Sequence, residues 1–388
     1  MLPNPYTPAA TPPALPGRDL HLSAASQTLS PLRTGLPAPV PLIFYGVRGA
    51  GKTSVLRAIR RSASESGLVT AWTAGAKRQP LLDSVAISIA TALEDFDVVP
   101  RDTGSIESLG VEVGFGPVRF AVGGRKAPAQ SDATRGKWDV GSVERMFRAA
   151  TRLCTKSGSD GLVLVIDELH TASRADLAVL FNATQNIADT DDVHPRPFAL
   201  LGAGLPSLLG AITASATFGE RTRFIPTGNL SEQDTQKAIV DPASDNGVTY
   251  DQAAIDTLTT ASGGYTYFIQ LFAFHTWQVA SPTHGSVISA ADARAGLAAA
   301  QVDIDHLFTA RLDAATQRER MFIRAMARLG GDEPVSRSAV AAELGVPVTS
   351  TSEVRNSLLN KAVVTSPQRG LLQFTIPGFA EFVLSDDE

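Results

Sequence analysis

Leu42-Ile43-Phe44-Tyr45-Gly46-Val47-Arg48-Gly49-Ala50-Gly51-Lys52-Thr53 is the stretch that decides the fold. Four apolar residues stopped by a glycine read as a buried strand, because parallel strands are covered on both faces. The next eight residues fit G-x-x-x-x-G-K-[ST]. Glycines there let backbone amides turn inward around phosphates. The helix that starts after Gly51 aims its positive end at the same point. Lys52 is expected to reach the β- and γ-phosphates, and Thr53 to hold Mg²⁺. Gly46, Val47, Arg48, Gly49, Ala50, Gly51, Lys52, Thr53 and Ser54 are therefore the candidate nucleotide-binding residues.

Working outward, strands alternate with helices. Helices are expected over 19–32, 54–66, 80–93, 143–156 and 177–187. Strands are expected over 68–72, 161–166, 198–201 and 223–226. This alternation implies right-handed crossovers and a parallel sheet. Residues 100–140 break it: 111–113 and 118–122 alternate around Gly114, Gly116 and Pro117, and read as an inserted β-hairpin followed by a loose loop at 123–136. Its cations Arg119, Arg125 and Lys126, near Lys137, read as a solvated loop, with nucleic acid or a partner as the alternative.

Leu162-Val163-Leu164-Val165-Ile166-Asp167-Glu168 is the second chemical signal. A buried strand delivers two carboxylates at its C-terminal end, where ligands sit in open α/β sheets. Asp167 is expected to organise the Mg²⁺ shell, and Glu168 to orient and polarise the attacking water. His170 is read as structural or surface-facing, with sensing of the γ-phosphate as the alternative. The strand ending Gly202-Ala203-Gly204 offers no polar side chain at its tip, and Ser207 is nearby. Arg221 and Arg223 precede the fifth strand. Either could act as an arginine finger toward a neighbouring subunit, against a surface ion pair with Glu220.

After residue 230 the strands stop. Ser231 caps a helix with Asp234 three residues on, and helices over 251–262, 265–280 and 289–301 complete an α-helical module. Three more helices (316–329, 336–344, 351–361) and two short strands (362–366, 371–376) give the pattern of a winged helix-turn-helix. Winged helices commonly read DNA with the third helix and the wing, which points to Arg355, Lys361 and Arg369. Yet residues 316–388 hold eight Lys and Arg against nine Asp and Glu, and phosphate neutralisation needs clustered cations. Duplex DNA and a protein partner both stay open.

The whole chain has 388 residues, 44% hydrophobic and 19% charged, with a formal net charge of -5. It can bury cores and is no histone-like coat. Its one cysteine, Cys154, excludes an intrachain disulfide and a cysteine zinc site, and suits a reducing, cytoplasmic setting. No apolar run approaches a membrane span, and no signal peptide is visible. Six of the first sixteen residues are proline, so the arm 1–16 is expected to be extended or disordered.

These landmarks resemble the AAA+ ATPases of the initiator (origin-recognition) and STAND-related branches. The chain is particularly similar to a group of actinobacterial ATP-binding proteins. The shared residues include Gly17-Arg18-Asp19-Leu20-His21-Leu22, the phosphate loop, Ile166-Asp167-Glu168-Leu169-His170, Gly202-Ala203-Gly204-Leu205-Pro206, Gly263-Gly264-Tyr265-Thr266-Tyr267-Phe268 and Phe374-Thr375-Ile376-Pro377. The resemblance implies an α/β AAA+ core over 17–230, a helical lid over 231–302 and a winged helix over 303–388. It implies ATP and Mg²⁺, slow hydrolysis that assembly accelerates, and a homo-oligomer or protein partner. It places Arg18 near the adenine. Initiator lids carry a nucleotide-sensing arginine; the Gly-Gly-Tyr segment here has none, and Thr266 stands where STAND lids often have proline.

Overall fold

The computed structural model describes residues 2–8, 10–76, 79–96, 112–115, 118–121, 138–188, 196–216 and 219–386. They divide into two compact units. One comprises Leu20–Tyr45 and Val55–Pro226; the other comprises Met1–Asp19, Gly46–Ser54 and Thr227–Glu388.

The first unit is built on a sheet. Helix α1 (Asp19–Leu29) leads by a 3-10 turn into β1 (Leu42–Tyr45), and α2 (Lys52–Glu65) into β2 (Val69–Ala74) and α3 (Leu81–Asp95). The hairpin β3 (Glu112–Phe115) and β4 (Val118–Ala121) is antiparallel, as expected of an insertion. The expected loop at 123–136, with Arg125 and Lys126, lies outside the described residues, as does Lys137. Then follow α4 (Val140–Lys156), β5 (Leu162–Asp167), α5 (Arg174–Ala188), β6 (Phe198–Gly204), α6 (Ser207–Ser215) and β7 (Arg223–Pro226).

Five strands pair in parallel in the order β2-β5-β6-β1-β7. Every residue of β5 and β6 is buried, which is why their sequences are continuous apolar runs. Register fixes the business end of the sheet: Ile43 and Ile166 both pair with Gly202. Asp167 is thus one residue past that rung and Tyr45 two, at the same C-terminal edge. Helices α3, α4 and α5 cover the sheet through a core that includes Leu82, Val85, Phe147, Leu164 and Leu180. Phe147 stacks on Phe198 with ring centroids 4.5 Å apart. Cys154 is wholly buried in this core, and burial pushes its thiol up to about 12.

The second unit is mostly helical. It continues through α7 (Glu232–Ser244), β8 (Thr249–Tyr250), α8 (Gln252–Ser262), α9 (Thr266–Ala280), β9 (Val287–Ile288) and α10 (Ala290–Asp313). Ser231 caps α7 by accepting from the Asp234 amide, as its sequence indicates. Helix α10 runs unbroken to Asp313, well past the expected end at 301. Next come α11 (Gln317–Gly330), β10 (Val335–Ser336), α12 (Arg337–Glu343), α13 (Ser352–Asn360), β11 (Val364–Thr365), β12 (Leu371–Phe374) and α14 (Phe379–Ser385). The three short strands form an antiparallel sheet in the order β10-β12-β11. One buried apolar cluster spans the unit, including Ile239, Trp277, Phe308, Phe322 and Phe379.

For the arm 1–16 the disordered alternative is corrected. Its described residues form neither helix nor strand, yet they are docked rather than disordered. Tyr6 is 1% exposed, packs edge-on to Trp277 and donates its hydroxyl to the Ile239 carbonyl. Asn4 Nδ2 donates to the Phe274 carbonyl at 3.0 Å, and the Thr7 amide to Gln270 Oε1 at 3.0 Å. Prolines restrict the unfolded arm, so ordering it costs less entropy, and one buried aromatic with hydrogen bonds offsets the remainder.

Among the described residues no helix is long and apolar enough to cross a membrane.

Candidate nucleotide site

The phosphate loop is shaped by its glycines. Gly49 and Gly51 have φ of +76° and +84°, a region that side chains rarely adopt. Gly46 is needed for space instead: a Cβ there would stand 2.0 Å from the Thr227 carbonyl oxygen. Lys52 is buried, and its Nζ donates to the carbonyls of Gly46 at 2.9 Å and Val47 at 2.7 Å. The amine thus stands over the loop it belongs to.

Three groups brace the loop. Arg18 is buried and donates to the carbonyls of Ala50 at 3.0 Å and Gly228 at 2.7 Å. Burial lowers its pKa while nearby Asp234 opposes that; a guanidinium keeps its charge regardless. Tyr265 is 2% exposed and donates to the Arg48 carbonyl at 2.8 Å. Burial pushes its hydroxyl up to about 12, so it is a neutral donor at ordinary pH. Thr266 Oγ1 donates to the Gly49 carbonyl.

No arginine stands in the Gly-Gly-Tyr segment, as the sequence indicates. The structure instead brings Arg311, from the end of α10, within electrostatic reach of Tyr265 and Arg48. Burial chiefly lowers its pKa; Tyr265 opposes and Arg48 adds to that. Arg311 also donates to the Ala362 carbonyl at 3.0 Å. Sequence reasoning missed it, because nothing local marks a helix-end arginine as facing a loop some 260 residues earlier.

The carboxylates stand at the end of β5. Asp167 is 5% exposed, and its Oδ1 accepts from the Glu168 amide at 2.8 Å. Glu168 has φ 50° and ψ 31°, a left-handed conformation uncommon outside glycine and found where a site over-determines the backbone. The Thr171 amide and hydroxyl both donate to the Glu168 carbonyl, at 3.0 and 2.9 Å. The Gly75 amide donates to the Asp167 carbonyl at 2.9 Å. A Cβ on Gly75 would lie 2.4 Å from Thr171 Oγ1 and 2.6 Å from the Glu168 oxygen, so only glycine lets β2 approach this turn.

The residue types fit the groups the motif calls for. Left-handed glycines present amides suited to phosphate, and Lys52 supplies the charge. The Thr53 hydroxyl and Asp167 carboxylate are hard oxygen donors of the kind Mg²⁺ takes.

Other candidates fare differently. Arg221 is exposed after β6 and α6, in a 3-10 turn. Arg223 is exposed and reaches Gln27 Oε1 at 3.3 Å. In the C-terminal region Arg369 is exposed and Arg355 half-buried, with Arg355 bonding the neighbouring Asn356 at 3.0 Å. Lys361 is a correction. Its Nζ turns inward to Glu319 Oε2 at 2.7 Å and the Ala314 carbonyl at 2.9 Å, so this cation is committed to the fold rather than presented to a phosphate. Of the two places expected for His170, structural or surface-facing, its side chain takes the buried one, at 9% exposed.

Comparison with known proteins bears on the fold. Residues 14–193 match the AAA ATPase domain family, and residues 305–383 match a domain of unknown function, DUF8462. No curated protein matches the chain significantly. Among solved structures, a Walker-type ATPase of Pyrococcus abyssi superposes with a TM-score of 0.61 at 12% identity, covering 95% of this chain and 96% of the other. The ORC2 protein of Aeropyrum pernix, solved in ADPNP–ADP complexes, gives 0.55 at 15% identity, covering 97% and 95%. These likenesses show a shared fold: an α/β P-loop architecture with a parallel five-stranded sheet.

Proposed function

We propose that this chain is a Mg²⁺-dependent AAA+ ATPase switch, converting ATP and water to ADP and phosphate. One observation carries the reading. The strand before the left-handed glycine loop and the strand ending in Asp167-Glu168 run parallel to the same sheet edge, one strand apart. The match of residues 14–193 to the AAA ATPase domain supports it.

In this reading the loop amides and Lys52 bind the phosphates, and Thr53 and Asp167 hold the metal. Mg²⁺, when bound, would neutralise charge on the phosphate oxygens. Glu168 orients the attacking water and draws on its proton. Arg221 is the proposed arginine finger, completing the site of a neighbouring copy. Catalysis is then chiefly positioning and charge stabilisation. Lys52→Ala should abolish ATP binding, whereas Glu168→Gln should keep ATP bound and stop turnover. A Glu168→Gln chain that hydrolyses at the normal rate would remove the base assignment.

The helices and antiparallel strands after 303 are proposed to be a winged helix whose partner is a protein rather than duplex DNA. Lys361 is tied to Glu319. Arg337 is spent on Thr351, Ser352 and Val348 within the module, while Val346 and Val348 stand exposed. Initiator-like DNA association is the competing reading, resting on Arg355 and Arg369. A duplex mobility shift that weakens steeply with salt and is lost in Arg355→Ala/Arg369→Ala would favour it.

A further inference from the structure

We propose that His170 is a positioning residue for hydrolysis, holding Glu168 from the place where a polar side chain on β6 is missing. The proposal rests on the ATPase reading above and deepens it. Three observations converge. First, His170 Nε2 lies 3.4 Å from Glu168 Oε2, with the imidazole largely buried and the carboxylate 40% exposed. The imidazole is therefore the fixed partner and the carboxylate the one facing outward.

Second, the glycine positions at the tip of β6 are crowded. A Cβ on Gly204 would meet Leu208 Cδ2 at 2.6 Å, and the amide nitrogen and Cβ of His170 at 3.2 and 3.3 Å. A Cβ on Gly202 would meet Ile43 Cδ1 at 3.0 Å and Leu169 Cδ2 at 3.2 Å. The turn after β5 takes up part of that room through Leu169 and the backbone and Cβ of His170, and His170 brings a polar ring with it. Leu208 and His170 together crowd Gly204, and Ile43 and Leu169 crowd Gly202.

Third, the Glu168 backbone is already held in its left-handed conformation by Thr171. The carboxylate's own rotation is what still needs fixing, and His170 supplies the contact two residues away. A general base must be held to small tolerances, because a displacement of about 1 Å can cost about a hundredfold in rate.

The test compares His170→Leu, which keeps bulk without polarity, with His170→Gln, which keeps a donor. Steady-state hydrolysis is measured beside the Kd for a non-hydrolysable ATP analogue. His170→Leu should lose tenfold or more in kcat with Kd within twofold of wild type, and His170→Gln should stay within threefold in both. Added to Glu168→Gln, His170→Leu should change the residual rate by less than twofold, since both act through one carboxylate. Overturning results are a His170→Leu kcat within twofold of wild type, a His170→Gln as slow as His170→Leu, or multiplicative losses in the double variant. A wild-type chain that binds no analogue removes the ATPase reading itself and His170's role with it. A wild type that binds and turns over while His170→Leu matches it removes His170's role alone.

Discussion

The Tyr265 hydroxyl donates to the Arg48 carbonyl at 2.8 Å, so an aromatic at the start of α9 holds the phosphate loop by its backbone. Tyr265→Phe removes that donor and strands the carbonyl. We expect a loss of about 1 kcal/mol in stability and weaker ATP binding, read by thermal unfolding with and without nucleotide. Gly49→Ala should be worse. Its φ is +76°, and the new Cβ would stand 2.1 Å from the Tyr265 hydroxyl, a strain of about 1–3 kcal/mol. If Gly49→Ala binds ATP as wild type does, the loop is not held as described.

Arg18 joins the loop to Gly228 from a third direction. Arg18→Ala should cost about 2–3 kcal/mol, the worth of charge-assisted bonds to one buried and one part-buried carbonyl, and should weaken nucleotide binding. Arg18→Lys should recover only part of it, because one ammonium lacks the planar fork that spans two acceptors. Chemical denaturation of the three proteins checks this order.

The docked arm predicts a fluorescence change. Tyr6→Ala opens a cavity beside Trp277 and should cost about 3–5 kcal/mol. Removing residues 1–16 should lower the melting temperature and shift tryptophan emission to the red as Trp277 meets water. An unchanged spectrum after truncation would contradict the burial of Trp277 by the arm.

Glu319 makes the C-terminal region acid-sensitive. Burial works to raise its carboxyl, but hydrogen bonds from Lys361, Ser357 and Thr316 outweigh that and bring it from 4.5 down to about 2. A folded pKa below the unfolded one gives stability that is full above pH 4.5 and is lost as pH falls toward 2. Glu319 also completes a capping box with Thr316. Glu319→Gln should therefore cost about 1–2 kcal/mol at neutral pH and flatten the acid transition between pH 4.5 and 2, followed by circular dichroism.

What was legible in the sequence follows from periodicity. The strands of the sheet stand out because they are short apolar runs bounded by glycine, proline or a charge, whereas their order, β2-β5-β6-β1-β7, is not written in the crossovers. The phosphate loop and Asp167-Glu168 were legible because their spacing is short and local. Helix α6 was missed because its run at 207–215 is brief and weakly patterned. Strand β10 was missed because two residues carry no period. The docked arm is anchored by Tyr6, with Asn4 and Thr7 beside it, and no pattern shows which surface an isolated aromatic among prolines will find. Lys361 looked like a free cation at a helix end; its partner Glu319 lies 42 residues earlier in sequence. The vacancy of polar groups on β6 was visible, but that His170 fills the room above Gly204 needed three dimensions.

Cys154 has a practical consequence. It is the chain's one cysteine, wholly buried, with its thiol held far from the reactive thiolate form. Maleimide reagents at neutral pH should leave it untouched in the folded protein. The wild-type sequence is therefore a ready background for paired spectroscopic labels. Cysteines introduced at exposed positions given no role in the site, such as Ile87 and Val302, would carry dyes without first removing a native thiol. Spectroscopic readouts of nucleotide binding can then be made in molecules whose core has not been altered.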